Sequence, residues 1–264
     1  MEEYERKDIT REDALALREK LGIAEDETML LSLSRISYEK NIQAIVQQFP
    51  DVLGQNKAVK LVVVGDGPYL SDLKKMVEDL DIEDSVIFTG MVAHEETAIY
   101  YKAADFFISA STSETQGLTY TESLASGTPV IAHGNPYLDD IIDQKMFGTL
   151  FYQEEDLANA ILDAIENTPA MADKAYQAKM YAISAEHFGK SVYAFYLDVL
   201  ISAKNKKKEK FSLTVRGQKE KTSVKLAHSA IKLPAEAAKA TVKTSAKVFK
   251  APKRLINSIR DFLD

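Results

Sequence analysis

Six short apolar runs, at about 29–34, 60–64, 85–89, 106–110, 129–132 and 148–152, alternate with helical patterns at roughly 41–53, 69–80, 94–104, 118–126 and 137–143. Each run is bounded by Gly, Pro, Asp or Asn, the pattern of strands buried on both faces of a parallel sheet. Strand and helix in strict succession require right-handed crossovers, so the chain is expected to be α/β, with a doubly wound, mostly parallel, Rossmann-like sheet. Ligands of such sheets bind outside the carboxyl ends of the strands. The residues that follow each run are therefore the candidate site.

A charged lead-in over 1–28 precedes the first run, and its segment Glu12–Gly22 reads as a short helix ended by glycine. After the sixth run the pattern is helical only. Leu157, Ile161, Leu162 and Ile165 recur at three-to-four spacing, a second helix lies around 171–185, and Val192, Phe195, Tyr196, Val199 and Leu200 mark a third. The α/β domain is thus expected over 29–202 and a separate tail over 203–264.

Charge divides the chain at the same place. Residues 1–202 hold 16 Lys and Arg against 35 Asp and Glu, whereas 203–264 hold 17 against 5, a net −19 followed by +12. The body and the tail must therefore meet different partners. Lys239, Lys243, Lys247 and Lys250 recur on one helical face of the tail and Ala238, Val242, Ala246 and Phe249 on another, before Leu255, Ile256, Ile259, Phe262 and Leu263 close the chain with an apolar stripe. With no Trp or Tyr to stack on bases, such a tail is not expected to bind nucleic acid, and an anionic membrane surface is the better fit.

The 264 residues include no cysteine, which excludes disulfides, a thiol nucleophile and thiolate-bound metal. No run approaches the ~18 uncharged apolar residues of a bilayer span, and Met1-Glu2-Glu3-Tyr4-Glu5 is the wrong start for a signal peptide. The expectation is a cytoplasmic protein, peripheral on the inner face of the membrane.

The densest chemistry follows the fourth run. Glu114 and Glu122 bracket Thr115-Gln116-Gly117-Leu118-Thr119-Tyr120-Thr121. A helix beginning near Leu118 would aim unpaired N–H groups and its positive dipole end at the crevice, a place suited to phosphate, while Gly117 would let a ligand touch backbone. Carboxylates that accept paired hydroxyl hydrogen bonds suit sugars and ribose. The segment reads as a nucleotide-sugar clamp. Arg35 and Lys40, after the first run, either face a diphosphate, which they would neutralise with fixed charge, or are a pair of surface cations. Gly65-Asp66-Gly67-Pro68 reads as a turn opening the next helix. His133-Gly134-Asn135-Pro136 is balanced between a helix-entry turn and a donor-site role. Asp79-Leu80-Asp81 reads as a solvated helix end, and the four histidines have no metal-ligand spacing, so no metal is expected.

These segments, with Leu33-Ser34-Arg35-Ile36-Ser37-Tyr38-Glu39-Lys40-Asn41, Phe88-Thr89-Gly90, Tyr101-Lys102-Ala103-Ala104-Asp105 and Ala125-Ser126-Gly127-Thr128-Pro129-Val130 in this order, resemble the donor-binding half of retaining glycosyltransferases of the GT-B type, family 4. The resemblance covers about residues 10–202. Ser34 stands where that family usually has glycine. Within the family, Ser113–Leu124 and Ile131–Pro136 are similar to bacterial diacylglycerol glucosyltransferases, which make membrane glycolipids.

The resemblance implies a UDP-sugar donor, UDP-glucose above all, and a diacylglycerol-type lipid acceptor. It implies catalytic roles for Arg35 and Lys40 on the leaving diphosphate and for Glu114 on the hydroxyls of the donor sugar, with no assignment of a general base. Gly65 and Gly67 would shape the nucleotide wall, Met91 and Val92 would read the base through backbone, and Gln116, Gly117, Leu118 and Thr119 would hold phosphate and sugar. Glu122 would bind the ribose. Family members carry an acceptor-binding domain before the donor half, and that domain is expected to be separate from this chain. A second reading, from a different class, is a non-catalytic nucleotide-sugar-binding module.

Overall fold

The computed structural model describes residues 8–113 and 117–216, with side chains through residue 202. Six strands form one parallel sheet: β1 (Thr28–Leu33), β2 (Val59–Val64), β3 (Val86–Gly90), β4 (Phe106–Ser109), β5 (Val130–His133) and β6 (Gly148–Phe151). Their order is β3-β2-β1-β4-β5-β6. The order reverses between β1 and β4, which is the switch point where a doubly wound sheet opens its crevice.

The strands read as unbroken apolar runs because both faces are covered. Along β2, Val59, Leu61 and Val63 enter one core while Val62 and Val64 enter the other. The first core is closed by helices α2 (Ile42–Gln55), α3 (Leu70–Asp79) and α7 (Leu157–Asn167). The second is closed by α1 (Arg11–Lys20), α4 (Thr97–Ala103), α5 (Leu118–Ala125), α6 (Pro136–Ile141) and α8 (Asp173–Ala182). A last helix, α9, is assigned over Ala185–Arg216. No helix among the described residues is long and apolar enough to cross a membrane.

The lead-in expected over 1–28 contains α1, and α1 is part of the core. Ala14, Leu17 and Ile23 are buried, and so is Arg18. The Arg18 guanidinium donates to the Ala103 carbonyl and to Asp105 Oδ2, both at 3.0 Å, and to the carbonyls of Ala24 and Glu27. Asp105 Oδ2 also accepts from the Met29 N–H at 2.7 Å. One charged cluster thus fastens α1, β1 and β4 at the amino end of the sheet, away from the crevice. Over the same core, Lys179 on α8 reaches Asp143 at 2.7 Å and lies over the Phe147 ring, 4.9 Å from its centroid.

Contacts divide the chain into two units, 1–199 and 200–264. The amphipathic pattern expected between Lys239 and Leu263 lies outside the described residues.

Candidate functional site

The crevice is built from the loops that leave β1, β2, β3 and β4. The β1 and β2 loops are laced together: Ser34 N–H donates to the Val64 carbonyl at 3.1 Å, Ile36 N–H to the Asp66 carbonyl at 2.9 Å, and Tyr69 N–H to the Ile36 carbonyl at 3.2 Å. Two glycines permit this approach. A Cβ at Gly65, where φ is +140°, would lie 2.0 Å from the Ser34 oxygen, and one at Gly67 would lie 2.1 Å from the Ile36 oxygen. Their demonstrable work is to let one loop seat on the other, a packing reason that a turn assignment from sequence did not contain.

Arg35 sits on this platform, 65% exposed, and is ion-paired with Glu39 one turn on. The Glu39 carboxyl is held below the usual carboxylate range, first by hydrogen bonding to its own backbone N–H and also by Arg35. Lys40 closes the 3-10 turn Tyr38–Lys40 and is followed by Asn41, which adopts the left-handed conformation at φ 53°. Asn41 Nδ2 donates to the Ala110 carbonyl at 3.3 Å and to Glu154 Oε1 at 2.7 Å. The turn bearing Lys40 is thereby anchored to the end of β4, at the switch point.

At the end of β3, Gly65 N–H donates to the Gly90 carbonyl at 2.9 Å. Met91 projects 81% exposed. Val92 is half-buried against the second core. This loop therefore offers an apolar edge and backbone beside the β2 loop.

The β4–α5 connection carries the carboxylates. Glu114 and Gln116 lie outside the described residues, so the site is seen from Gly117 onward. Gly117 takes φ 57° and ψ 36° at the start of α5, with no side chain capping the helix. A Cβ there would stand 2.9 Å from the rings of both Tyr120 and Tyr137. Among the described residues no side chain caps the first N–H groups of α5, and its positive dipole end suits an anion. Leu118 is 58% exposed and Thr119 is half-buried. Tyr120, fully buried, seats the helix on β4 by donating to Ser109 Oγ at 3.1 Å. Glu122, half-buried on the second turn, accepts from the Tyr101 hydroxyl at 3.1 Å. Tyr101 is a site contact that the sequence motifs contained but to which they assigned no role.

Beyond β5, Asn135 caps α6 by accepting from the N–H groups of Tyr137 and Leu138, both at 3.0 Å, and Pro136 takes the first helical position. Gly134, Asn135 and Pro136 thus carry the chain from β5 into α6. The Tyr152 ring covers Gly134, and the Tyr152 hydroxyl, donating to Asp139 at 2.6 Å, is pushed above its ordinary pKa by that bond. Asp79 and Asp81 are exposed at the end of α3. Among the described residues no three His, Asp or Glu side chains are grouped as metal ligands. A cleft of about 590 Å³ opens on the outer face of α5, where Leu118, Thr121 and Glu122 face Tyr137, Ile183 and Phe188.

Comparison with known proteins places this architecture. The profile of the family described as "Glycosyl transferases group 1" matches residues 13–181. The chain is 56% identical over 259 residues, 98% of its own length and 57% of the relative's, to the alpha-monoglucosyldiacylglycerol synthase of Streptococcus pneumoniae strain R6. It is 33% identical over 206 residues, 76% of its length and 51% of the relative's, to the protein of the same name from Acholeplasma laidlawii. The chain therefore spans little more than half of these curated relatives. Among solved structures, Anabaena HepE in complex with UDP and glucose superposes with a TM-score of 0.61 at 22% identity, over 71% of this chain and 52% of that one.

Proposed function

The chain belongs to the group 1 glycosyl transferases, and on that premise we propose that it is the donor-binding half of a retaining sugar transferase that holds a UDP-sugar at the switch point between β1 and β4. The observation that carries this reading is the start of α5 at Gly117, which no described side chain caps, with the Glu122 carboxylate hydrogen-bonded to Tyr101 one turn further on. An anion-seeking helix end and a hydroxyl-seeking carboxylate on one helix match a diphosphate joined to a ribose.

In this reading the diphosphate lies against the first N–H groups of Leu118 and Thr119, and Arg35 and Lys40 neutralise it as the glycosidic bond to the sugar breaks. Fixed cations do the work without a divalent metal. Glu122 takes the ribose hydroxyls, Met91 and Val92 form the base edge, and Glu114 and Gln116 take the sugar. Gly65 and Gly67 support the wall behind them.

Glucose as the sugar and a diacylglycerol-type lipid as acceptor are supported by the relatives' name and by the 56% identity that runs through nearly the whole chain, and UDP as the carrier by the UDP and glucose held in HepE. The basic tail of 203–264, at +12, supports attachment to an anionic membrane on its cytoplasmic side. An acceptor-binding domain outside this chain completes the cleft, in keeping with the 57% share of the relative that is matched.

The test is a titration with UDP-glucose, UDP-galactose and GDP-mannose, followed by an assay of glucosyl transfer to diacylglycerol in mixed micelles. Preference for UDP-glucose with transfer supports the full reading. Binding without transfer, even when the upstream domain is supplied, would make the chain a nucleotide-sugar-binding module. No binding of any nucleotide sugar would reject both.

A further inference from the structure

We propose that Tyr101 is a positioning residue for Glu122, setting the carboxylate in advance for the ribose hydroxyls of the donor nucleotide; the inference rests on the ribose role proposed above for Glu122. Tyr101 is fully buried on α4, and its ring packs edge-to-face on Phe107 of β4 with centroids 5.5 Å apart. Its backbone carbonyl accepts from the buried Thr128 hydroxyl at 2.6 Å. Ring and backbone are thus held from two sides, and the hydroxyl is delivered to Glu122 Oε2 at 3.1 Å.

The consequence for recognition follows from the freedom of a glutamate. A long side chain on a helix surface samples several rotamers, and ordering it on ligand binding subtracts from affinity. A charge-assisted hydrogen bond from a donor that cannot itself move removes that freedom before the ligand arrives. It occupies one of the roughly four acceptor sites of the carboxylate and leaves the others for a pair of neighbouring hydroxyls. Tyr101 therefore acts through Glu122, without touching the nucleotide.

The experiment compares the full chain and its variants for binding of UDP and of 2′,3′-dideoxy-UDP, which lacks the hydroxyls in question. The native chain is expected to favour UDP by about tenfold or more. Glu122→Ala brings the ratio close to one. Tyr101→Phe keeps the ring and the packing, leaves the affinity for dideoxy-UDP unchanged, and lowers the UDP ratio about threefold to tenfold. The double variant matches Glu122→Ala alone, since the tyrosine has nothing left to position. Thr128→Val, which strips the bond to the Tyr101 carbonyl but spares the hydroxyl, lowers the melting temperature without moving the ratio.

A Tyr101→Phe ratio equal to the native one, with Glu122→Ala near one, overturns the inference and leaves the ribose assignment standing. A Thr128→Val ratio that falls as far as that of Tyr101→Phe overturns it too, by reducing Tyr101 to a packing role. An unchanged ratio in Glu122→Ala removes the ribose assignment itself, and the inference with it.

Discussion

At the crevice the residue that most needs explaining is Arg35, because its guanidinium already has a partner in Glu39. An incoming diphosphate must compete for it. The pair is exposed, so the competition is weak. Glu39→Gln should therefore tighten UDP binding by about threefold, measured by calorimetry at low salt, with the gain shrinking as salt rises. A loss of affinity would mean that Glu39 orients Arg35 for the ligand instead of withholding it. The same residues show what a sequence discloses at this scale. Arg35, Lys40, Gly117 and Glu122 could be singled out as candidates because each lies on a segment that follows a strand of the sheet, on the side where such folds take their ligands. Tyr101 could not, since a buried tyrosine beside Phe107 is indistinguishable by pattern from any other core aromatic. Only the distance from its hydroxyl to Glu122 separates the two.

Among the elements, the runs and helices were legible to within a few residues, since parallel strands covered on both faces leave unbroken apolar segments. The exceptions were contacts between elements. Gly65 and Gly67 signalled a turn, but the close seat of the β2 loop on Ser34 and Ile36 is a three-dimensional fact. Gly65→Ala should cost about 2–5 kcal/mol in chemical denaturation, from backbone strain and overlap with the Ser34 oxygen. A neutral Gly65→Ala would show that the two loops do not depend on that approach. The place of α1 was hidden for a related reason: its charged pattern, Arg18 included, reads as surface, whereas Arg18 is buried by backbone carbonyls that no periodicity announces.

The link from α1 to β1 also titrates. Glu27 accepts from the Ala24 N–H at 2.8 Å and faces Lys60 at 3.3 Å, and the backbone bond, then Lys60, holds its carboxyl below the ordinary 4.5. A depressed folded-state pKa means that the unfolded chain binds the proton more readily. The stabilisation is therefore complete above about pH 4.5 and is lost as pH falls through the lower folded value. Glu27→Gln should lower the melting temperature at pH 7, and the difference from the native chain should shrink as pH falls below the ordinary 4.5. A difference that stays constant with pH would assign the effect to shape and not to charge.

For the molecule as a whole, the separation of −19 in 1–202 from +12 in 203–264 predicts different behaviour of the two parts at a charged surface. Flotation with phosphatidylglycerol-containing liposomes should carry the full chain and leave behind a chain ending at Ser202, because about 1 kcal/mol per Lys or Arg near an anionic surface is available only to the tail. Equal flotation of both would remove the tail from membrane attachment. Charge alone marks this division in the sequence. Whether fixed cations and the start of α5 hold the diphosphate of UDP is read from calorimetric titration of UDP in the presence of a chelator, with the native chain and with Arg35→Ala/Lys40→Ala. Metal-independent binding that the double variant weakens by more than about a hundredfold is expected; equal affinity in the two proteins, or binding only when magnesium is restored, would rule these contacts out.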